Sequence, residues 1–308
     1  MEHKDSGVFV TLEELLELSF RAKGFSFLPS RRVGSILNGR HNSKMRGRGM
    51  DFSEMKQFVQ GDDVRNMDWK ATRRTGKPYV RLFNEERDRA VWLVVSQRNS
   101  MFFGTKERMK SVVASYLTAL TAFRVVDSGD RVGAVLYNDT TIKVCKAQRG
   151  KESIYRLLYE LVDLNNQLGK NSNNNNGQLN RALETVGAMA KHDDLIILIG
   201  DGRAIDDKSV EYITTLSTHN DIISALIYDP MEMELPNQKS LFLSDGSKSV
   251  DIDGGDKNFR DSFKKRLEGR KNALKNLSIR HTIPLLTIST NDDVLEQIQK
   301  QLGVDNGC

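Results

Sequence analysis

From residue 90 onward, the sequence alternates short apolar runs with longer segments in which apolar residues recur at helical spacing. The apolar runs lie at 90–95, 132–137, 141–146, 195–200, 222–228 and 283–289. The segments with helical spacing lie at 105–126, 151–163, 179–191, 206–217, 257–277 and 292–302. Uninterrupted apolar runs are typical of strands buried on both faces, and a parallel sheet needs helices on both faces. The pattern therefore predicts an α/β domain with a mostly parallel sheet flanked by helices.

Composition excludes several other classes of protein. The chain has 308 residues and two cysteines, Cys145 and Cys308, which are too few for a disulfide framework or a cysteine-rich zinc site. No run approaches the roughly 18 consecutive apolar residues that a membrane-spanning helix needs. Residues 2–5 are charged or polar where a secretory signal would begin its apolar run. These features predict a cytoplasmic protein without a membrane span.

The N-terminal part combines a short helix with a basic segment. Residues 11–22 predict an amphipathic helix whose start is a capping box of Thr11 and Glu14. Residues 31–49 hold six Lys or Arg residues and no acidic residue. Such a segment could bind nucleic-acid phosphates, bind an acidic protein, or simply remain solvated. Because it contains no aromatic side chain for stacking on bases, nucleic-acid binding is the least favoured of these readings.

Residues 47–87 combine glycines, carboxylates, arginines and aromatic residues in a specific order. The members of this signature are Gly47, Gly49, Asp51, Phe52, Gly61, Asp62, Asp63, Arg65, Asp68, Trp69, Arg73, Arg74, Val80, Arg81, Glu85 and Glu86. The pattern resembles the signature of a large bacterial family known as domain of unknown function fifty-eight. The resemblance continues through 101–104, 128–133 and 229–236 and so extends over most of the chain.

This resemblance implies a von Willebrand factor A-like α/β domain preceded by a smaller, strand-rich element. The implied division is an N-terminal helix and basic extended segment at 1–46, the signature element at 47–89 and the α/β domain at 90–308. A long polar loop is expected at 230–256 and an Asn-rich loop at 171–178. The resemblance also implies a partner, because members of the family typically act with MoxR-type AAA+ ATPases as chaperone-like pairs that assemble or activate other complexes.

In physical terms, the signature is a set of charges around an aromatic anchor. Its carboxylates can pair with its arginines in bidentate fashion, and its aromatic side chains can bury against the sheet. The residues concerned are Asp51, Asp62, Asp63 and Asp68 with Arg65, Arg73 and Arg81, and the aromatic Phe52 and Trp69. This arrangement predicts a clamp that holds the small element to the main domain; the alternative is a surface that docks a partner. A catalytic role has little support, because the motif contains no histidine or cysteine.

Domains of the implied fold commonly bind a divalent cation where the strands end, through Asp-x-Ser-x-Ser, a Thr and an Asp. The corresponding positions in this sequence are Ser96, Arg98 and Ser100, then Asn176 or Gly177 at the Thr position, and Asp201. Hard cations take several oxygen ligands, and only Ser100 and Asp201 retain the pattern as weak candidates. We therefore expect a degenerate site with no metal and no other cofactor.

Arg98 adds a fixed positive charge where the fold would ordinarily recruit a cation. One hypothesis is that Arg98 takes the electrostatic place of the metal and pairs with Asp201. The alternative is that Arg98 points to solvent and Asp201 caps the following helix.

The predicted function is that of a non-enzymatic adaptor or co-chaperone acting with a MoxR-type AAA+ ATPase. The loops at 96–104, 171–178 and 201–205 would present its binding face. The sequence has no Gly-x-x-x-x-Gly-Lys-Ser/Thr loop, so nucleotide hydrolysis would fall to the partner. Two alternatives stay open: a metal-dependent ligand-binding or hydrolytic protein, and nucleic-acid binding through 31–49.

Overall fold

The computed structural model describes residues 7–22, 50–59, 64–85, 89–169, 177–232, 241–244, 249–252 and 257–302. The chain divides into two compact units. The larger unit comprises residues 1–38 and 89–308, and the smaller unit comprises residues 39–88. The basic segment 31–49, and with it the predicted nucleic-acid contact, lies outside the described residues.

Strands and helices alternate along most of the chain. The strands are β1 (Met50–Gln57), β2 (Tyr79–Glu85), β3 (Ala90–Ser96), β4 (Arg131–Tyr137), β5 (Ile142–Gln148), β6 (Leu195–Gly200), β7 (Asp221–Tyr228), β8 (Leu241–Ser244), β9 (Ser249–Ile252) and β10 (Leu285–Ser289). The helices are α1 (Leu12–Arg21), α2 (Trp69–Thr75), α3 (Lys110–Asp127), α4 (Lys151–Asn165), α5 (Gly177–Met189), α6 (Asp207–Ser217), α7 (Lys257–His281) and α8 (Val294–Leu302).

The larger unit is built on a six-stranded sheet in the order β10-β7-β6-β3-β4-β5. Its first five strands in this order are parallel, and β5 runs antiparallel to β4 at one edge. The antiparallel edge follows from the short connection at 138–141, because a parallel crossover needs a dozen or more residues. If these six strands are renumbered 1 to 6 in chain order, their order across the sheet, starting from β5, is 3-2-1-4-5-6. This is the order of doubly wound α/β folds. The predicted α/β fold with a mostly parallel, helix-flanked sheet is confirmed.

Both faces of the sheet are covered, which explains why the strands appear as continuous apolar runs. All seven residues of β3 are buried. Its residues alternate between two cores: Val91, Leu93 and Val95 pack with α1, α3, α4 and α8, whereas Trp92 and Val94 pack with α5 and α6. This alternation is the two-residue period of an extended strand. It anchors β3 at the centre of the unit, where the candidate site begins.

The N-terminal segment of the larger unit is joined to the β3–α3 connection. The predicted capping box is present, since Thr11 accepts from the backbone N–H of Glu14 and Glu14 accepts in return. Before this helix, the carbonyl of Gly7 accepts from the N–H of Met109 at 2.8 Å. Two further hydrogen bonds connect this segment to the residue that follows β3. Val10 N–H donates to Asn165 Oδ1, and Asn165 Nδ2 donates to Gln97 Oε1, both at 3.0 Å.

The smaller unit is a two-stranded antiparallel sheet of β1 and β2 with a bulge between Phe52 and Glu54. Helix α2 lies between these strands in sequence and begins at the N-cap Asp68, whose Oδ1 accepts from two backbone N–H groups. It ends at Gly76, whose φ of 69° suits glycine best. The small strand-rich element expected from the signature is therefore present.

The predicted loop 230–256 is more regular than its polar sequence suggests. It contains the antiparallel pair β8 and β9 and a short 3-10 turn at Pro230–Glu232. In the Asn-rich stretch, residues 170–176 lie outside the described part of the chain, and residues 177 and 178 already belong to α5. No helix in the described part of the chain is long and apolar enough to cross a bilayer.

Candidate functional site

The candidate site lies at the carboxyl edge of the large sheet, on both sides of β3. Strand β3 pairs with β4 on one side and β6 on the other, so this edge is the switch point where open parallel sheets place their ligand crevices. Three aspartates follow strands at this edge: Asp139 after β4, Asp201 after β6 and Asp229 after β7. All three are buried. A buried carboxylate needs a charged or hydrogen-bonded partner, so the partners define the chemistry of the site.

Asp139 is paired with Arg98. Arg98 Nε lies 2.7 Å from Asp139 Oδ1, and the backbone N–H of Asn99 donates to Asp139 Oδ2 at 2.8 Å. The register explains this choice of partner, because Ser96 lies opposite Tyr137 in the parallel β3–β4 pair, and Arg98 and Asp139 each lie two residues further along the chain. The predicted Arg98–Asp201 pair is therefore wrong. The alternative of a solvent-facing Arg98 is also wrong, since Arg98 is 2% exposed.

Asp201 is paired with Lys110, the first residue of α3. Lys110 Nζ lies 3.2 Å from Asp201 Oδ2 and 3.0 Å from Glu232 Oε1. Lys110 and Glu232 are both fully buried, and the ring of Phe103 lies 5.7 Å from the ammonium nitrogen. A helix N-terminus disfavours a cation, so this lysine depends on the two carboxylates.

Two arginines complete this group of charges. Arg203 Nη2 lies 2.7 Å from Glu232 Oε1, and its Nε lies 3.4 Å from Asp201 Oδ2. Arg270 of α7 reaches Glu232 Oε1 at 3.6 Å and donates to the backbone carbonyl of Asp201 at 3.3 Å. We call Lys110, Asp201, Arg203, Glu232 and Arg270 the Lys110 cluster. It joins the ends of β6 and β7 to α3 and α7.

The charges of the Lys110 cluster decide how its carboxylates ionise. Burial by itself raises the pKa of Asp201, but the positive charges of Lys110 and Arg203 outweigh it and lower that pKa from 3.8 to about 2. Burial likewise raises the pKa of Glu232, and Lys110, Arg203 and Arg270 together lower it below its usual value. Both carboxylates are therefore ionised at neutral pH.

Asp229 has a different set of partners, all of them neutral donors. Its Oδ1 accepts from the Thr105 hydroxyl at 2.8 Å and from the Met231 N–H at 2.9 Å. Its Oδ2 accepts from the Thr105 N–H at 3.0 Å and from the Thr290 hydroxyl at 2.6 Å. This aspartate therefore joins the β3–α3 connection to the ends of β7 and β10.

The residues predicted for a degenerate metal site do not form a set of metal ligands. Ser96 is buried and faces Tyr137 and Gly200, and Asn176 lies outside the described residues. The hydroxyl oxygen of Ser100 is buried without a hydrogen-bond partner in the described part of the chain. The Asp201 carboxylate already forms an ion pair with Lys110. Because one carboxylate already bound to an ammonium cannot neutralise a divalent cation, these residues do not fit the metal that the fold family implies.

An apolar cavity of about 50 Å³ lies beneath this edge, between the sheet and α7. Ser96, Tyr137 and Asp201 lie at its lining together with Leu226 and Leu274. Burial raises the pKa of Tyr137 to about 12, against the opposing effect of its hydrogen bond with Ser96. The phenol therefore stays neutral throughout the physiological range.

The signature residues of the smaller unit behave differently from the prediction. Trp69 is 67% exposed, so its expected burial is wrong; it is the first residue of α2, and Asp68 occupies the cap. Arg65 and Arg73 are exposed on the same unit. The remaining predicted members cannot be placed: Asp62 and Asp63 lie outside the described residues, and for Asp51, Phe52 and Arg81 the structure describes only the strand backbone.

Sequence reasoning missed Lys110, Glu232, Asp139 and Asp229. A signal for the aspartates was present, since each follows an apolar run, in the segments YND (137–139) and IYD (227–229), as Asp201 does in IGD (199–201). Glu232 lay within the 229–236 stretch that carries the family resemblance. Lys110 had no local signal, because a lysine at the start of a helix is ordinarily solvated. Of the three predicted binding loops, 96–104 and 201–205 lie at this edge, and most of 171–178 is not described.

Fold and site together define a doubly wound α/β protein whose strand-end carboxylates are held by basic side chains and hydroxyls from within the chain. The chain belongs to the family described as "Protein of unknown function DUF58", which matches residues 54–273. The predicted family membership is confirmed. The doubly wound sheet and the small strand-rich element are also those that the von Willebrand A-like expectation required.

The chain is also similar to one sequence relative and to two solved structures. The uncharacterized protein Rv1480 of Mycobacterium tuberculosis (strain ATCC 25618 / H37Rv) is 25% identical over 273 residues, which cover 87% of this chain and 83% of the relative. The conserved hypothetical protein BatB from Bacteroides thetaiotaomicron has 10% sequence identity and a TM-score of 0.42, over 70% of this chain and 98% of that chain. The SpRpn10 VWA domain has 9% identity and a TM-score of 0.39, over 70% and 95% of the two chains.

Proposed function

We propose that this protein is a non-catalytic binding module that recognises an acidic segment of a partner protein through its smaller unit, and that the partner is a MoxR-type AAA+ ATPase. The observation that carries the proposal is the exposure of Trp69 at the start of α2. Tryptophan and arginine dominate the energetics of protein interfaces, and Trp69 is an exposed tryptophan on a helix that also carries exposed arginines.

The surroundings of Trp69 support a partner of acidic chemistry. Lys70, Arg73, Arg74 and Lys77 are exposed around it. The only acidic residue between positions 64 and 80 is Asp68, which is buried at the cap of α2. Met55, Val59 and Val64 of the same unit are also exposed apolar side chains. An aromatic anchor with a basic surround matches an acidic, partly apolar segment of protein.

The strand-end edge supports the non-catalytic part of the proposal. A general base or nucleophile needs a group that is free to exchange a proton or attack a substrate. Asp201 and Glu232 are instead held ionised by three basic side chains, and Asp139 is held by Arg98. We therefore assign this edge a structural role, in which it fixes the connections between strands and helices.

The ATPase as partner is supported by the family resemblance and by the sequence, which has no phosphate-binding loop of its own. The test is a binding measurement, by biolayer interferometry, between the full chain and a purified MoxR-type AAA+ ATPase from the same organism. We expect Trp69→Ala to weaken binding about 30-fold, the loss typical of a central interface tryptophan. The double reversal R73E/R74E should also weaken binding, and higher salt should weaken wild-type binding.

Tyr159 provides a matched control. It is 66% exposed on α4 of the larger unit, so Tyr159→Ala removes an equally exposed aromatic side chain that is not part of the proposed surface. Binding should be unchanged in this variant. Unaltered binding in both Trp69→Ala and R73E/R74E would refute the proposed surface, and no binding at micromolar concentrations would refute the proposed partner.

A further inference from the structure

We propose that the outer edge of β5 is a second docking site, where an acidic, extended segment of a partner protein adds a strand to the large sheet. The inference does not depend on the surface around Trp69 or on the ATPase. It rests on a difference between the two edge strands of the sheet, β10 and β5. An edge strand presents backbone N–H and C=O groups with which a further strand can pair.

Two glutamines of α8 close the β10 edge. Gln301 Oε1 accepts from the N–H of Thr287 at 2.9 Å, and Gln301 Nε2 donates to the carbonyl of Thr287 at 2.8 Å. Gln297 forms the same two bonds with the N–H and the carbonyl of Ser289, at 2.7 Å and 3.0 Å. The side-chain amides thus bond the backbone groups that a further strand would need, so a strand could add here only by displacing both glutamines.

The β5 edge has no such cover in the part of the chain that the structure describes. The N–H of Asn138 donates to the carbonyl of Thr141 at 3.0 Å and closes the β4–β5 hairpin. Hydrogen-bonded and non-hydrogen-bonded pairs alternate from this point, and the register makes the pairs of Ile142 and Val144 non-hydrogen-bonded. These two residues therefore direct their N–H and C=O groups away from β4, where no described residue bonds to them.

The charge of this edge determines which strand it can accept. Residues 142–151 contain no acidic residue and four basic ones, Lys143, Lys146, Arg149 and Lys151. Lys146 is exposed, and Lys143 is partly exposed although it pairs with Glu160 at 3.1 Å. Like charges on opposite positions destabilise a strand pair, and opposite charges stabilise it. The lysines therefore disfavour a second copy of β5 and favour a strand that carries Asp or Glu.

Val144 adds an apolar contact to this edge. Its side chain is 42% exposed although it lies within a strand. Apolar side chains that face one another across a strand pair contribute to its stability. The matching segment therefore alternates acidic residues with β-branched apolar ones, and it pairs through its backbone.

Three substitutions separate this site from the rest of the surface. Val144→Pro removes an outward N–H and no bond between β4 and β5, and proline is tolerated at such edge positions. Lys146→Glu leaves the backbone unchanged and reverses one exposed charge of the edge. Lys300→Glu is the matched control, because Lys300 is an exposed lysine on α8, the helix that closes the β10 edge.

The probe is a fluorescein-labelled synthetic peptide that alternates glutamate with valine and threonine, and fluorescence anisotropy measures its binding to the full chain. Two further peptides serve as controls. One has lysine in place of each glutamate, and the other has alternate backbone nitrogens methylated, so that it keeps its charge but cannot pair as a strand. Each titration is repeated in the R73E/R74E background, so that peptide bound around Trp69 does not contribute.

The acidic peptide should bind the wild type and Lys300→Glu equally, and the lysine peptide should not bind. Binding should weaken about 5-fold in Lys146→Glu, which replaces an attractive cross-strand pair with a repulsive one. It should weaken about 10-fold or more in Val144→Pro and for the methylated peptide, since both lose backbone bonds. Hydrogen exchange at the amides of Ile142 and Val144 should slow when the acidic peptide is bound.

The inference is overturned if the acidic peptide does not bind at millimolar concentration, or if the methylated peptide binds as tightly as the unmodified one. In the second case the attraction would involve charge alone. Dimerisation of the free protein that Val144→Pro abolishes, measured by light scattering, would show that a second copy occupies the edge and would overturn the acidic occupant. If Val144→Pro does not fold, the methylated peptide and the hydrogen exchange of the wild type decide.

Discussion

The strand-end edge of the larger unit and the helix α2 region of the smaller unit use the same residue types to opposite effect. At the edge, Arg98 and Lys110 are buried against carboxylates. Around α2, the basic side chains and Trp69 are exposed to solvent. The difference is that strand register and helix ends place a carboxylate within ion-pair distance of Arg98 and Lys110, whereas the basic side chains around α2 face solvent. Composition alone therefore does not distinguish a structural charge network from a binding surface.

The largest expected difference between the two units concerns the two tryptophans. Trp92 is 3% exposed, and its indole N–H donates to Asp194 at 3.1 Å. Trp92→Ala should lower the free energy of unfolding by about 3–5 kcal/mol, because it leaves a cavity and removes one hydrogen bond from the buried Asp194 carboxylate. Trp69→Ala should change it by about 0.5 kcal/mol or less. Urea unfolding of both variants measures this, and equal losses would contradict the contrast between the units.

The next effect concerns Glu232, which three basic side chains contact. Glu232→Gln should cost about 3 kcal/mol, because it leaves Lys110, Arg203 and Arg270 facing a single carboxylate. Glu160 provides a surface control, since it pairs with Lys143 at 3.1 Å while both side chains remain partly exposed. Glu160→Gln should cost less than about 1 kcal/mol. Chemical denaturation measures the loss of unfolding free energy in each variant. Similar losses in Glu232→Gln and Glu160→Gln would mean that the Lys110 cluster is effectively solvated.

A double-mutant cycle tests the Arg98–Asp139 pair. Arg98→Met leaves the Asp139 carboxylate buried without its charged partner and should cost about 2–3 kcal/mol. Adding Asp139→Asn should restore about 1–2 kcal/mol of this loss, because the buried charge is then removed as well. Additive losses in the double variant would show that the two side chains do not depend on one another.

The smallest effect is a pH dependence confined to acid. The pKa of Asp201 is lowered from 3.8 to about 2 in the folded protein, so ionisation of Asp201 stabilises the fold above pH 4, and this stabilisation is lost as the pH falls toward 2. The stability difference between wild type and Asp201→Asn should be constant from pH 8 to pH 5 at about 2 kcal/mol and should shrink between pH 4 and pH 2. A difference that shrinks near neutral pH instead would mean that the Lys110 cluster does not hold this carboxylate.

Much of the fold could be predicted from the sequence because burial on both faces gives β3 and β6 an unmistakable apolar run. The antiparallel β5 could also have been deduced, since residues 138–141 are too few for a crossover. The partner of Arg98 could not be predicted from the sequence, because the pairing depends on the register between β3 and β4. That register is set by the packing of the whole sheet. The burial of Lys110 could not either, since it needs carboxylates from two other strand ends, and the exposure of Trp69 depends on where the helix cap lies.

The hydrogen bonds at Gly7 and Val10 have a mechanical consequence. The chain before α1 is fastened at Met109, next to Lys110, and through Asn165 to Gln97, next to Arg98. Tension applied along the backbone ahead of Gly7 would therefore load the β3–α3 connection before it loaded the strands of the sheet. A partner that used energy to pull on the chain ahead of Gly7 would therefore act first on the residues next to Arg98 and Lys110, the two buried basic side chains of the strand-end edge.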